Sequence, residues 1–107
     1  MSHVTTHVLD SSVGRPAAGV AVELQDATGV TLATGTTDAD GRVADLGPDS
    51  LAPAAYRLVF ATGEYFAASG TPAFYPRVTL DFSVADGAHY HVPLLLSPFA
   101  YSTYRGS

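Results

Sequence analysis

The residues able to do chemistry in this chain are four histidines, one arginine in a tight turn, and a polar C-terminal end. His3 and His7 stand near the start; His89 and His91 stand near the end with a single residue between them. Arg42 closes the turn TDADGR, and the chain finishes on Tyr104, Arg105, Gly106 and Ser107. Histidine titrates near neutrality and can take a proton from water, while the planar fork of arginine grips a carbonyl or an anionic ring edge at two points. Such a set suits hydrolysis of a small planar molecule. A zinc site is a second reading, because residues at even separation on a strand share a face and His3, His7, His89 and His91 form two such pairs. The short motifs that hold them contain no cysteine and no carboxylate, which weighs against zinc. Plainer readings stand beside both: a strand histidine is usually a surface or hydrogen-bonded residue, and an arginine in an Asp-Gly turn is usually solvated. No Gly-rich phosphate cradle and no Gly-x-Ser-x-Gly turn is present.

These residues need elements to position them, and the last stretch, HYHVPLLLSPFAYSTYRGS from His89 to Ser107, is the most informative. Chain ends without a role are usually poor in aromatics. This one keeps Tyr101 and Tyr104 close to its end, so it reads as two strands and a fixed terminus.

Composition narrows the classes. A chain of 107 residues reads as one domain spanning positions 1–107, with a self-sufficient but modest core. Hydrophobic residues make up 47% and charged residues 14%, too little charge to cover an ordinary monomer, so apolar surface is expected between subunits. The net charge of −5, with five arginines and no lysine, repels a phosphate backbone and excludes a nucleic-acid partner as well as Schiff-base chemistry. Cysteine is absent, which removes disulfides and thiolate catalysis. The start MSHVTTHVLD lacks the basic and apolar regions of a signal peptide. No run approaches the roughly 20 apolar residues of a membrane span. A cytoplasmic protein without membrane contact is expected.

Alternation then supplies the strands. His3 to Asp10 places Val4, Thr6 and Val8 on one face and His3, Thr5, His7 and Leu9 on the other. Val20 to Gln25 and Thr31 to Thr37 flank turn residues Asp26 to Gly29 as a hairpin. Tyr56 to Ala61 and Arg77 to Val84 follow, with a helix of barely two turns expected at Gly63 to Ser69 between them. On Ala88 to Ser97, Tyr90, Val92, Leu94 and Leu96 face one way and His89, His91, Pro93 and Leu95 the other. Seven or eight short strands with one brief helix describe an all-β sandwich. If the valine face of the first strand is buried, His7 and His91 both point away from the core, toward an interface where Arg42 and the polar terminus can join them.

The motifs HVLD at His7 to Asp10, GRPAAGV at Gly14 to Val20, TDADGR at Thr37 to Arg42, FYP at Phe74 to Pro76, and HYHVPLLLSP with the closing YRGS resemble the transthyretin-like proteins. Within them they are similar to the 5-hydroxyisourate hydrolases of purine breakdown, and the resemblance covers nearly the whole chain. The terminal YRGS separates these hydrolases from hormone-carrying transthyretins. What the resemblance implies is a two-sheet, prealbumin-like sandwich assembled as a homotetramer, with hydrolase sites in a channel between dimers. It implies His7, Arg42 and His91 as the catalytic trio and Tyr104, Arg105, Gly106 and Ser107 as the end that lines the pocket. The implied reaction opens the N1 to C6 amide-type bond of 5-hydroxyisourate to give 2-oxo-4-hydroxy-4-carboxy-5-ureidoimidazoline, with no metal or organic cofactor. His3 and His89 are expected to be solvated or structural. Ala100 stands where the family pattern usually has glycine. The alternative is a non-enzymatic channel protein that binds a small aromatic ligand.

Overall fold

Alternating apolar residues need a partner surface, and two sheets supply it to each other. The structure, a computed structural model, describes residues 2–107; Met1 lies outside the described residues. The elements run β1 (Val4–Asp10), β2 (Arg15–Pro16), β3 (Ala21–Asp26), β4 (Thr31–Thr36), β5 (Arg42–Val43), β6 (Ala54–Phe60), α1 (Thr62–Ala68), β7 (Val78–Val84), β8 (Tyr90–Leu96) and β9 (Tyr101–Thr103). One sheet has the order β2-β1-β8-β9, with β5 also paired to β1; the other has the order β4-β3-β6-β7. The architecture is the expected two-sheet, transthyretin-like sandwich. Its count exceeds seven or eight because β2 and β5 are two-residue strands, too short to show alternation in a sequence.

The expected faces hold. Val4, Thr6 and Val8 of β1, Val22 and Leu24 of β3, Leu58 and Phe60 of β6, and Leu94 and Leu96 of β8 are all buried. Each large apolar side chain so buried contributes about 1.5–3 kcal/mol, which lets a core stand without covalent staples. Phe82 of β7 is half-buried and packs against this core. The helix lies one residue earlier than expected, at Thr62 to Ala68. Its Tyr65 hydroxyl donates to Asp10 Oδ2 at 2.7 Å, tying α1 to the end of β1. Burial opposes ionisation of Asp10, but hydrogen bonds from Ser12 and Tyr65 outweigh it and hold the carboxyl below its usual range. Burial, then the Asp10 carboxylate, push the Tyr65 hydroxyl up to about 12.

One expected orientation is corrected. β1 begins at Val4, so His3 is not on the outward face with His7. It is buried, its Nδ1 accepts the Leu51 N–H at 2.9 Å, and its ring meets Tyr90 edge-on at 5.5 Å. His3 is structural, and the four-histidine set does not assemble. At Ala100 the local turn closes with an alanine: its carbonyl accepts the N–H and the hydroxyl of Ser97. No non-glycine residue among those described has positive φ, so alanine carries no backbone strain there.

Candidate functional site

The site is built on the outer face of β1, between its two neighbours. On one side β5 pairs antiparallel with β1, setting Arg42 opposite His7 and Val43 opposite Thr6. On the other side β8 pairs in parallel, setting His91 opposite Thr5 and Pro93 opposite His7. Because side chains alternate along a strand, Thr5 and His7 rise from the same face that carries His91.

Arg42 reaches this face through a turn that permits little else. Asp38 Oδ1 accepts the backbone N–H groups of Asp40 and Arg42. Gly41 sits at φ 76°, where its carbonyl accepts the Val8 N–H at 2.7 Å. A Cβ at position 41 would overlap the Val8 carbonyl oxygen, and a positive φ is itself costly for other residues. The same turn orients His7, whose Nε2 lies 2.9 Å from the Asp40 carbonyl oxygen. A carbonyl only accepts, so His7 carries its hydrogen on Nε2 and, when neutral, its lone pair on Nδ1.

His91 is held differently. Its Nδ1 is hydrogen-bonded to Thr5 Oγ1 at 2.8 Å, and the same hydroxyl reaches His89 Nε2 at 2.9 Å. Gly106 pairs with the His91 backbone, its N–H donating to the His91 carbonyl at 2.8 Å. Glycine is required by proximity: a Cβ there would stand 2.6 Å from His91 Cδ2 and 3.1 Å from Pro93 Cγ. Burial first, and then the positive charge of Arg42 with His7 and His89 behind it, hold the His91 pKa below the ordinary histidine value. A neutral imidazole at neutral pH is the form that accepts a proton.

Arg42, His91, His89, Thr5 and Ser107 border one open pocket of about 270 Å³. The His7 ring stands beside it, 6.5 Å from that of His91. Residues 4–106 match the profile described as the HIUase/Transthyretin family. The chain belongs to this family.

Relatives and solved structures of the HIUase/Transthyretin family align over almost all of the chain. A 5-hydroxyisourate hydrolase of Caulobacter vibrioides is 49% identical across the whole of both chains. One of Pseudomonas aeruginosa is 46% identical, covering all of this chain and 93% of the relative. Among solved structures, 5-hydroxyisourate hydrolase of Klebsiella pneumoniae superimposes with a TM-score of 0.91 at 42% identity, over 97% of this chain and 98% of that one. Sea bream transthyretin in complex with thyroxine gives 0.89 at 32% identity, over 96% and 93%.

The terminal residues are divided between two places. Ser107 borders the pocket with Arg42, and Gly106 backs the His91 ring. Tyr104 and Arg105 instead line a neighbouring cavity of about 440 Å³ with residues of β7, and His91 borders both. The Arg105 guanidinium lies over the Tyr90 ring at 4.3 Å, a cation–π contact. Thr5 and His89, both at the pocket, were not singled out from sequence for any role in it. Thr5 shares a face with His7, and that alternation is the signal that could have found it. His89, expected to be solvated or structural, is exposed yet contributes to the pocket wall.

Proposed function

We propose that this chain hydrolyses 5-hydroxyisourate in urate breakdown, opening the ring to 2-oxo-4-hydroxy-4-carboxy-5-ureidoimidazoline. The observation that carries this reading is the single pocket where Arg42, His91 and Ser107 meet beside His7, in a chain of this family. His7 and His91 orient water and take its proton as it attacks the ring carbonyl. Arg42 fixes the ring and stabilises the developing oxyanion, a role worth about 3 kcal/mol per donor. Tyr104, Arg105, Gly106 and Ser107 form the substrate-holding end, with Ser107 nearest the chemistry. No cofactor takes part, so a strong chelator leaves the rate unchanged.

The chain works as a single domain over 1–107, in the cytoplasm, as a homotetramer. Association is supported by Phe74, Phe99, Tyr101 and Tyr104, large side chains exposed on a surface poor in charge. It is also supported by β7 and β9, each at the edge of its sheet, since unpaired edges are templates for pairing with another chain. None of the described helices is long and apolar enough to cross a membrane.

The test is the ultraviolet decay of 5-hydroxyisourate against its spontaneous background. Acceleration by the chain, abolished in His91→Asn, supports hydrolysis. A chain that binds the compound without hastening its decay is a ligand carrier instead. Light scattering gives the subunit number.

A further inference from the structure

We propose that Thr5 and His89 are positioning residues for His91, forming a hydrogen-bonded line that switches one ring nitrogen of His91 between base and acid and exchanges its proton with solvent. The proposal rests on the hydrolytic reading of the pocket.

The geometry supplies the line. Thr5 stands directly opposite His91 in the parallel register of β1 and β8. Its Oγ1 is 2.8 Å from His91 Nδ1 and 2.9 Å from His89 Nε2. A hydroxyl has one hydrogen and two lone pairs, so when it is not accepting from both rings it donates to one neutral imidazole and accepts from the other. Two polarities follow. In the first, His91 Nδ1–H donates to Thr5, Thr5 donates to His89 Nε2, and His91 Nε2 keeps its lone pair. In the second, every hydrogen is shifted, and His91 carries its hydrogen on Nε2. Among the described residues Nε2 of His91 has no hydrogen-bond partner of its own. The first polarity therefore offers a base at that nitrogen and the second an acid.

The two forms interconvert with every proton accounted for. When attacking water gives its proton to Nε2, His91 becomes an imidazolium. Its Nδ1 proton passes to Thr5 Oγ1 as the Thr5 hydrogen passes to Nε2 of His89, and His89 releases its own Nδ1 proton to solvent. The line now has the second polarity. Nε2–H of His91 then protonates the departing ring nitrogen; the line runs back, and His89 regains a proton from water.

The surroundings leave such an exit open. The charges that act on His91 are His7 from β1, Arg42 from β5 and His89 ahead of β8; the terminal segment brings Gly106 and Ser107 to it, and the cavity on its other side is lined by Asp81 of β7, Tyr90, Tyr104 and Arg105. None of the side chains lining this pocket is acidic, so no side-chain carboxylate there shares an imidazolium charge next to Arg42. His7 has no equivalent route, because its Nε2–H ends on the Asp40 carbonyl, which cannot pass a proton on. His89 is exposed and can exchange with bulk water.

The experiment compares wild type with Thr5→Val, Thr5→Ser and His89→Ala on 5-hydroxyisourate, with and without added imidazole. Thr5→Val and His89→Ala are expected to lower kcat about tenfold or more, as loss of a proton-transfer group does, with KM within about twofold. Thr5→Ser recovers most of the rate because it restores the hydroxyl. Added imidazole rescues His89→Ala, whose exposed position keeps the fold, by carrying protons in place of the missing ring. Wild-type kcat in Thr5→Val or His89→Ala overturns the line; so does a Thr5→Ser loss equal to that of Thr5→Val, or a His89→Ala loss that imidazole leaves unchanged. If wild type itself fails to accelerate decay, it is the hydrolytic reading that falls.

Discussion

The imidazole rings of His7 and His91 stand 6.5 Å apart, centroid to centroid, tilted by 33°, on neighbouring parallel strands. The two are restrained by different atoms: His7 by a backbone carbonyl, His91 by a hydroxyl. Their chemistry is therefore unequal although their residue type is the same. His7→Asn and His91→Asn are each expected to lower kcat by about 10²–10⁴, the usual span for an acid–base group. Circular dichroism and light scattering should find the fold and the subunit number unchanged.

Arg42 acts on His91 through charge, beside the substrate role proposed for it. Its removal relieves one cause of the depressed His91 pKa, but burial is the larger cause. An NMR titration of Arg42→Gln should therefore show the His91 pKa raised above that of wild type and still below the ordinary histidine value. A pKa unmoved by the substitution would contradict this charge coupling. The sign for catalysis follows. In the proposed mechanism the neutral form is the base, so the rate is expected to rise with pH through the His91 pKa. Because that pKa is lowered, the acid limb of kcat/KM in wild type lies below the ordinary histidine value.

The terminal segment is tested at its closest approach. In Gly106→Ala the new methyl group meets His91 Cδ2 and Pro93 Cγ, so the ring must move. Displacements near 1 Å at a reacting group cost about 10²-fold in rate. A loss of this order is expected in kcat, together with changed His91 NMR shifts. Deleting Tyr104 to Ser107 should abolish turnover; retained turnover would reduce the segment to a cap.

The Asp10 and Tyr65 pair governs stability rather than chemistry. Tyr65→Phe leaves a buried carboxylate short of one hydrogen bond, at a cost of about 1.5 kcal/mol at neutral pH. The folded pKa of Asp10 is depressed, so its contribution is present above the unfolded carboxyl value and is lost as pH falls through the folded one. Urea denaturation should accordingly show the gap between wild type and Tyr65→Phe narrowing in acid.

Much of this fold was legible because alternation reports directly on which face is buried. Val4, Thr6 and Val8, or Tyr90, Val92, Leu94 and Leu96, need only one apolar partner surface to be sorted. Alternation is silent about which strand lies beside which. The parallel pairing of β1 with β8 therefore left no trace in the sequence, and the bridging role of Thr5 depends entirely on that register. Arg42 read as part of a turn because β5 is two residues long. His3 was misjudged by a single position: the strand starts one residue later, and the ring turns inward to meet Leu51 and Tyr90.

The parallel pairing also sets when the pocket can exist during synthesis. Thr5 meets His89 and His91 across 84 and 86 residues of chain. Such contacts form only after a long loop has closed, and chains built on them fold slowly. A ribosome-bound chain that has emerged only as far as β7 holds His7 and Arg42 but has neither His91 nor the strand that carries it. On the proposed reading, catalytic competence is thus withheld until β8 has emerged and paired with β1.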